Sequence, residues 1–181
     1  MEGLTMVGVR PRSPTHPVDP LDPPADVPRT WRRSHAVRLE GPNVGPGIVA
    51  VTIVTAERRA ALAPPRDIRG TLEDDLDRNS RDGHARILVA CAMPDHLHVM
   101  LELDGEGRPL WDYVNVWKGL WTRRLAHPHE RPFWQRTFYD HWMRHDEARE
   151  YAFYIIANPV RRGLVREWPQ WPWTRVYIPL A

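Results

Sequence analysis

The sequence predicts an α+β fold, one antiparallel sheet with helices packed on one face, in the order β-α-β-β-α-β-α. Three observations carry this. Two runs rich in aliphatic and β-branched residues, 48–55 and 87–91, are bounded by Gly, Pro or charge, as buried strands are. Pro94 and Asp95 separate the second run from a third strand-like run, as a hairpin turn would. Further on, apolar residues recur at helical rather than strand spacing.

The first 30 residues hold seven prolines and no apolar periodicity, and read as a disordered or extended tail. Residues 31–47 read as a linker or irregular arm ending in Gly/Pro turns, and residues 48–181 as the functional domain. Order begins with the strand at Ile48. Pro64 and Pro65 stop the chain, and Asp67 or Thr71 caps a helix running to about Asn79. Its apolar stripe is narrow: Ile68, Leu72 and Leu76. The hairpin follows, with Pro94 in the turn because proline donates nothing to a ladder. Leu110, Val114, Trp117, Trp121 and Leu125 then form the apolar face of a helix that ends before Pro128. The aromatic, roughly alternating residues 132–144 read as a strand. Asp146 caps a last helix toward Asn158, RGLV is a short closing element, and the Trp/Pro segment EWPQWPW packs on the surface. This is the ferredoxin-like split βαβ order.

The chain has 181 residues, the length of one ordinary domain. Its mean hydropathy is −0.54. The longest apolar run, 87–93, is far short of the roughly 20 residues of a membrane helix. The first twelve residues lack the apolar stretch of a secretory signal. A single Cys91 excludes a disulfide scaffold and a multi-cysteine zinc site, and suits a reducing cytoplasm. Residues 105–181 carry 12 basic and 8 acidic side chains and eight of the nine Trp. A basic, Trp-rich half is compatible with nucleic acid, although a tryptophan core under a solvated Arg surface has the same composition.

Two spacings carry chemistry. On a strand, His96 and His98 point to one face, the arrangement either of a metal-ligand pair or of two surface or hydrogen-bonded histidines. On a helix, Tyr154 and Asn158 share a face. A phenol becomes a nucleophile once a metal, base or cation activates it. With the two imidazoles, Asn158 would complete a set of neutral N/O ligands suited to Mg²⁺ or Mn²⁺ holding a phosphate; the alternative is a helix-face aromatic and an Asn that merely ends the helix before Pro159.

The segments MPDHLHVMLEL, VWKGLWTRRL, FWQRTFYDHWMR, YAFYIIANPVRRGLV and WPW occur in this order and spacing. Together they resemble the REP-associated tyrosine transposases, relatives of the single-tyrosine transposases in the His-hydrophobic-His endonuclease superfamily. The Pro-rich first 30 residues match nothing in that family. The resemblance implies binding of single-stranded DNA next to a hairpin and attack by a tyrosine on a phosphodiester. The products are a 5′-phosphotyrosine and a free 3′-OH, and a divalent ion polarises the scissile phosphate. Residue by residue, it implies His96 and His98 as the metal pair, Asn158 as third ligand and Tyr154 as nucleophile. Tyr151, three residues earlier, is the competing tyrosine. Lys118, Arg123, Arg124, Arg136, Arg144, Arg161 and Arg162 are expected to hold DNA. Trp134 and Phe138 are candidates for base stacking, and Trp117 and Trp121 are expected in the core. The implied protein is a nucleoid-associated monomer or homodimer of the cytoplasm, with no membrane partner. The alternative is a domesticated relative that binds structured single strands without cutting. A small-molecule metal hydrolase would need a water-activating carboxylate by the His pair, and Asp95 lies in the turn.

Overall fold

The computed structural model describes residues 46–64, 66, 68–72, 74 and 83–177. The Pro-rich tail, nearly all of the expected arm and the far end of the first helix lie outside the described residues. The elements are β1 (Gly47–Val54), a helical stretch α1 at 69–72 and 74, β2 (Ala85–Met93), β3 (His96–Leu103), α2 (Leu110–Leu125), β4 (Tyr139–Met143), α3 (His145–Arg161) and β5 (Thr174–Val176).

The sheet order is β4-β1-β3-β2-β5, with every neighbouring pair antiparallel. The first four strands follow the ferredoxin-like split βαβ arrangement, as expected. Directly paired residues share a face of a sheet. His141, Ala50, Met100, Thr52, His98 and Cys91 therefore lie on one face, by the registers of β4, β1, β3 and β2. Helix α3 packs on this face, since Tyr151 stacks on His141 with ring centres 5.4 Å apart. Val51, Val99 and Ala90 on the opposite face are buried too. The fully buried Ile68, Leu72, Val114, Trp117 and Trp121 of the α1 and α2 regions join them in one apolar cluster. Both faces of the sheet are thus buried. The reason is in the strands, which are near-continuous apolar runs and leave neither face suited to water.

Three local differences stand out. Within 132–144 only Tyr139–Met143 is a strand. Before it, Trp134 makes an isolated bridge to Thr55. The Trp/Pro segment is not a surface patch: Trp171 and Trp173 are buried, and Trp171 Nε1–H donates to the Ala92 carbonyl at 2.8 Å. That anchoring sets β5 against β2 as a fifth strand. Finally, α3 runs through Pro159 to Arg161. Gly163, at φ +66, ends it in the left-handed conformation glycine adopts readily, its N–H donating to the Val160 carbonyl and that of Leu164 to Pro159.

Candidate metal centre and tyrosine helix

The turn of Pro94 and Asp95 delivers the chain directly into β3, so His96 and His98 open that strand. Both rings are buried. Their Nε2 atoms are 3.0 Å apart, and the rings meet edge to face at 85°. The other ring nitrogens are engaged: His96 Nδ1 with Asp95 Oδ1 at 2.7 Å, and His98 Nδ1 with Thr52 Oγ1 at 2.9 Å. Two imidazoles with outer nitrogens held and inner nitrogens converging are arranged as ligands usually are. Burial, with His96 beside it, holds His98 well below the ordinary histidine range, so it stays neutral. Neutrality is what a ligand needs.

Asp95 is the residue that sequence reasoning set aside as a turn. Besides His96, it faces Arg162 (3.7 Å) and Arg58 (3.7 Å). Burial pushes its carboxyl up. The His96 hydrogen bond, then the charges of His96 and Arg162, outweigh this and hold it below the usual carboxylate value. Its position immediately before His96 was the signal available in sequence. Thr52 carried no such signal, because only the β1–β3 register sets it opposite His98.

Asn158 is buried in the last turn of α3. Pro159 has no N–H for the Ile155 carbonyl four residues back. The Asn158 amide stands in: Nδ2 donates to the carbonyls of Ile155 (3.2 Å) and Tyr154 (2.9 Å). Two acceptors require the NH₂ on that side, which leaves Oδ1 as the atom available to a ligand. Among the described residues, no group of three His, Cys, Asp or Glu is placed to hold a metal.

The two tyrosines differ. Burial, with a smaller effect of Tyr154, drives the Tyr151 phenol far above its ordinary value. Tyr154 is half-buried, and the Arg161 guanidinium lies over its ring.

The expected basic residues divide. Arg161 and Arg162 sit at the end of α3, beside Tyr154 and Asp95. Arg123 and Arg136 are exposed. Arg124 pairs with Asp74 at 3.1 Å, linking α2 to the α1 region. Arg144 precedes α3, about 25 Å of helix from Arg161 at 1.5 Å per residue, and pairs with Asp146. Lys118 has another task. Its ammonium donates to the carbonyls of Gln135 (3.0 Å), Arg136 (3.2 Å) and Thr137 (3.0 Å), and burial lowers it to about 8. All three donors are spent on backbone, so Lys118 pins the loop that carries Arg136 rather than reaching for phosphate. Trp134 is likewise committed, buried against Trp121 with its Nε1–H on the Lys118 carbonyl at 3.2 Å. It has no face for stacking a base, while Phe138 stays half-buried. Cys91 is an inert core thiol, pushed up to about 12 by burial.

No family model matches the chain. It is 28% identical over 99 residues to a provisionally named REP-associated tyrosine transposase of Haemophilus influenzae, covering 48% of this chain and 56% of the relative. It is 27% identical over 103 residues to a REP-associated tyrosine transposase of Escherichia coli, covering 56% and 60%. The match thus spans less than two thirds of either relative. The fold is similar to that of a REP-associated tyrosine transposase solved bound to a REP hairpin, with a TM-score of 0.63, 22% identity, and coverage of 78% of this chain and 81% of that one. By sequence the chain is similar to the REP-associated tyrosine transposases, and its fold resembles that of one of them.

Proposed function

We propose that the chain is a metal-dependent single-strand DNA endonuclease and strand transferase that works next to DNA hairpins through a 5′-phosphotyrosine. The observation that carries this reading is the convergence of the His96 and His98 Nε2 atoms on the sheet face covered by α3, the helix of Tyr154 and Asn158. The similarity to named transposases, one of them bound to a hairpin, supports it.

His96, His98 and the Asn158 Oδ1 would hold Mg²⁺ or Mn²⁺, which the neutral N/O donor set fits. Such an ion, when bound, polarises the scissile phosphate and offsets charge growing on its non-bridging oxygens. Asp95 and Thr52 orient the imidazoles. Tyr154 attacks phosphorus: the phenolic O–P bond forms as the P–O3′ bond breaks, the phenol loses its proton and the departing 3′ oxygen gains one. The covalent intermediate conserves the phosphodiester energy for rejoining, so strand transfer needs no external energy source. Arg161 and Arg162 offer guanidinium groups to the phosphates beside the site, and Arg123 and Arg136 offer them further along the strand. Such contacts position DNA without reading its sequence.

The test is a gel assay for covalent adduct with single-stranded hairpin DNA from the regions flanking the protein's own gene, in Mg²⁺ or Mn²⁺. A detergent-resistant band is expected with the parent protein. None is expected with Tyr154→Phe or with His96→Ala/His98→Ala. Tight hairpin binding without any band would establish a non-cutting binder instead.

A further inference from the structure

We propose that Asp95 is the positioning residue of this site: it holds His96 in the tautomer that presents Nε2, and ties to it the end of helix α3 and the turn after β1. The inference rests on reading His96 and His98 as a metal pair.

The two imidazoles are held by unlike partners. Thr52 offers a hydroxyl, which donates or accepts, so it tolerates either tautomer of His98. Asp95 offers an ionised carboxylate, which only accepts. At 2.7 Å it calls for a proton on His96 Nδ1, so in the neutral ring the lone pair falls on Nε2, the atom that faces His98. One ligand is thus fixed and the other is adjustable.

The same carboxylate collects charge from two distant segments. Arg162 comes from the turn that follows the Tyr154 helix. Arg58 comes from a turn in which two successive non-glycine residues, Glu57 and Arg58, hold φ of 56° and 52°. Left-handed backbone at two such residues in a row is unfavourable and persists where surrounding contacts impose it. Here the turn is hydrogen-bonded to its neighbours: Thr55 N–H donates to the Asp95 carbonyl at 2.9 Å, and the single hydroxyl proton of Thr55 is within reach of the Arg59 (2.6 Å) and Asp95 (2.9 Å) carbonyls. The Asp95 backbone is therefore anchored independently of its side chain. Replacing the carboxylate removes the tie to His96 and the arginines while leaving the hairpin turn in place.

The full chain, with ¹⁵N-labelled histidine, tests this by two readouts: Mn²⁺ affinity by calorimetry, and the His96 tautomer by long-range ¹H–¹⁵N correlation without metal. The parent protein is expected to show His96 protonated at Nδ1. Asp95→Ala is expected to bind Mn²⁺ about 10- to 100-fold more weakly and to spread His96 over both tautomers. Asp95→Asn keeps the shape and an acceptor oxygen but loses the charge. It is expected to retain more affinity than Asp95→Ala, and it carries the test if the alanine variant fails to fold. Affinity within twofold of the parent together with an unchanged His96 tautomer overturns the proposal. If the parent protein takes up no Mn²⁺, the metal reading fails. The tautomer then decides for Asp95 alone, and an unchanged His96 in both variants overturns its role.

Discussion

The Arg161 guanidinium stands 4.9 Å from the centre of the Tyr154 ring, while Tyr151 on the same helix is packed against His141. In the attack proposed for Tyr154, a cation there would favour negative charge building on the phenolic oxygen as a bond to phosphorus formed. Arg161→Ala is expected to slow adduct formation roughly 2- to 30-fold, the range a cation over an aromatic ring supplies. Tyr151→Phe is expected to leave the adduct in place. Time courses of the covalent band check both, and an adduct lost with Tyr151→Phe but kept with Tyr154→Phe would exchange the two roles.

Stability should fall in mild acid because of His98. Its folded imidazole is held well below 6.5, first by burial. The unfolded chain protonates the same ring as pH drops through about 6.5. Below that pH the unfolded state binds more protons, so stability is present above it and lost beneath it. Urea midpoints are expected to decline between pH 7.5 and 5.5, and His98→Gln to flatten the decline. Asp95 acts in a separate window: its depressed carboxyl contributes above its ordinary value of 3.8 and loses that contribution as pH falls further. An equal decline in parent and His98→Gln would assign the slope to other groups.

Lys118 and the exposed arginines should separate in salt titrations of single-strand binding. Each phosphate contact contributes about 0.7 to the slope of log affinity against log salt. Arg123→Ala and Arg136→Ala are expected to lower the slope by about that amount each. Lys118→Met is expected to leave the slope unchanged and to cost about 1–3 kcal/mol of folding stability through the lost hydrogen bonds. A slope reduced by Lys118→Met would return this residue to the DNA surface.

Two glycines should respond to alanine in opposite directions. A Cβ at Gly119, inside α2, meets nothing within 4 Å. Gly119→Ala is therefore expected to stabilise by about 0.5–1 kcal/mol, the helix-propensity gain. A Cβ at Gly107 would lie 2.4 Å from the His84 Cβ and 2.9 Å from the Tyr113 hydroxyl. Gly107→Ala is expected to destabilise by about 1–3 kcal/mol. Denaturant unfolding reads both.

Much of this architecture was legible in the order of residues. The period of Leu110, Val114, Trp117 and Trp121 marks α2, and Pro94-Asp95 marks the hairpin that opens β3 with His96 and His98. Strand alternation alone sets those two rings on one face, and helical spacing aligns Tyr154 with Asn158. Such features are local, because periodicity and turn chemistry act over a few residues.

Contacts between distant segments were not legible. Thr52 meets His98 through a strand register, Arg58 and Arg162 meet Asp95 from opposite ends of the domain, and Trp171 finds Ala92 to add a fifth strand. Lys118 resembled a phosphate-binding cation until packing set three carbonyls around its ammonium. A charged or hydroxyl side chain has no preferred partner written beside it. Its role follows from which acceptors and charges folding brings within hydrogen-bond reach, and from the loss of the water that would otherwise satisfy it.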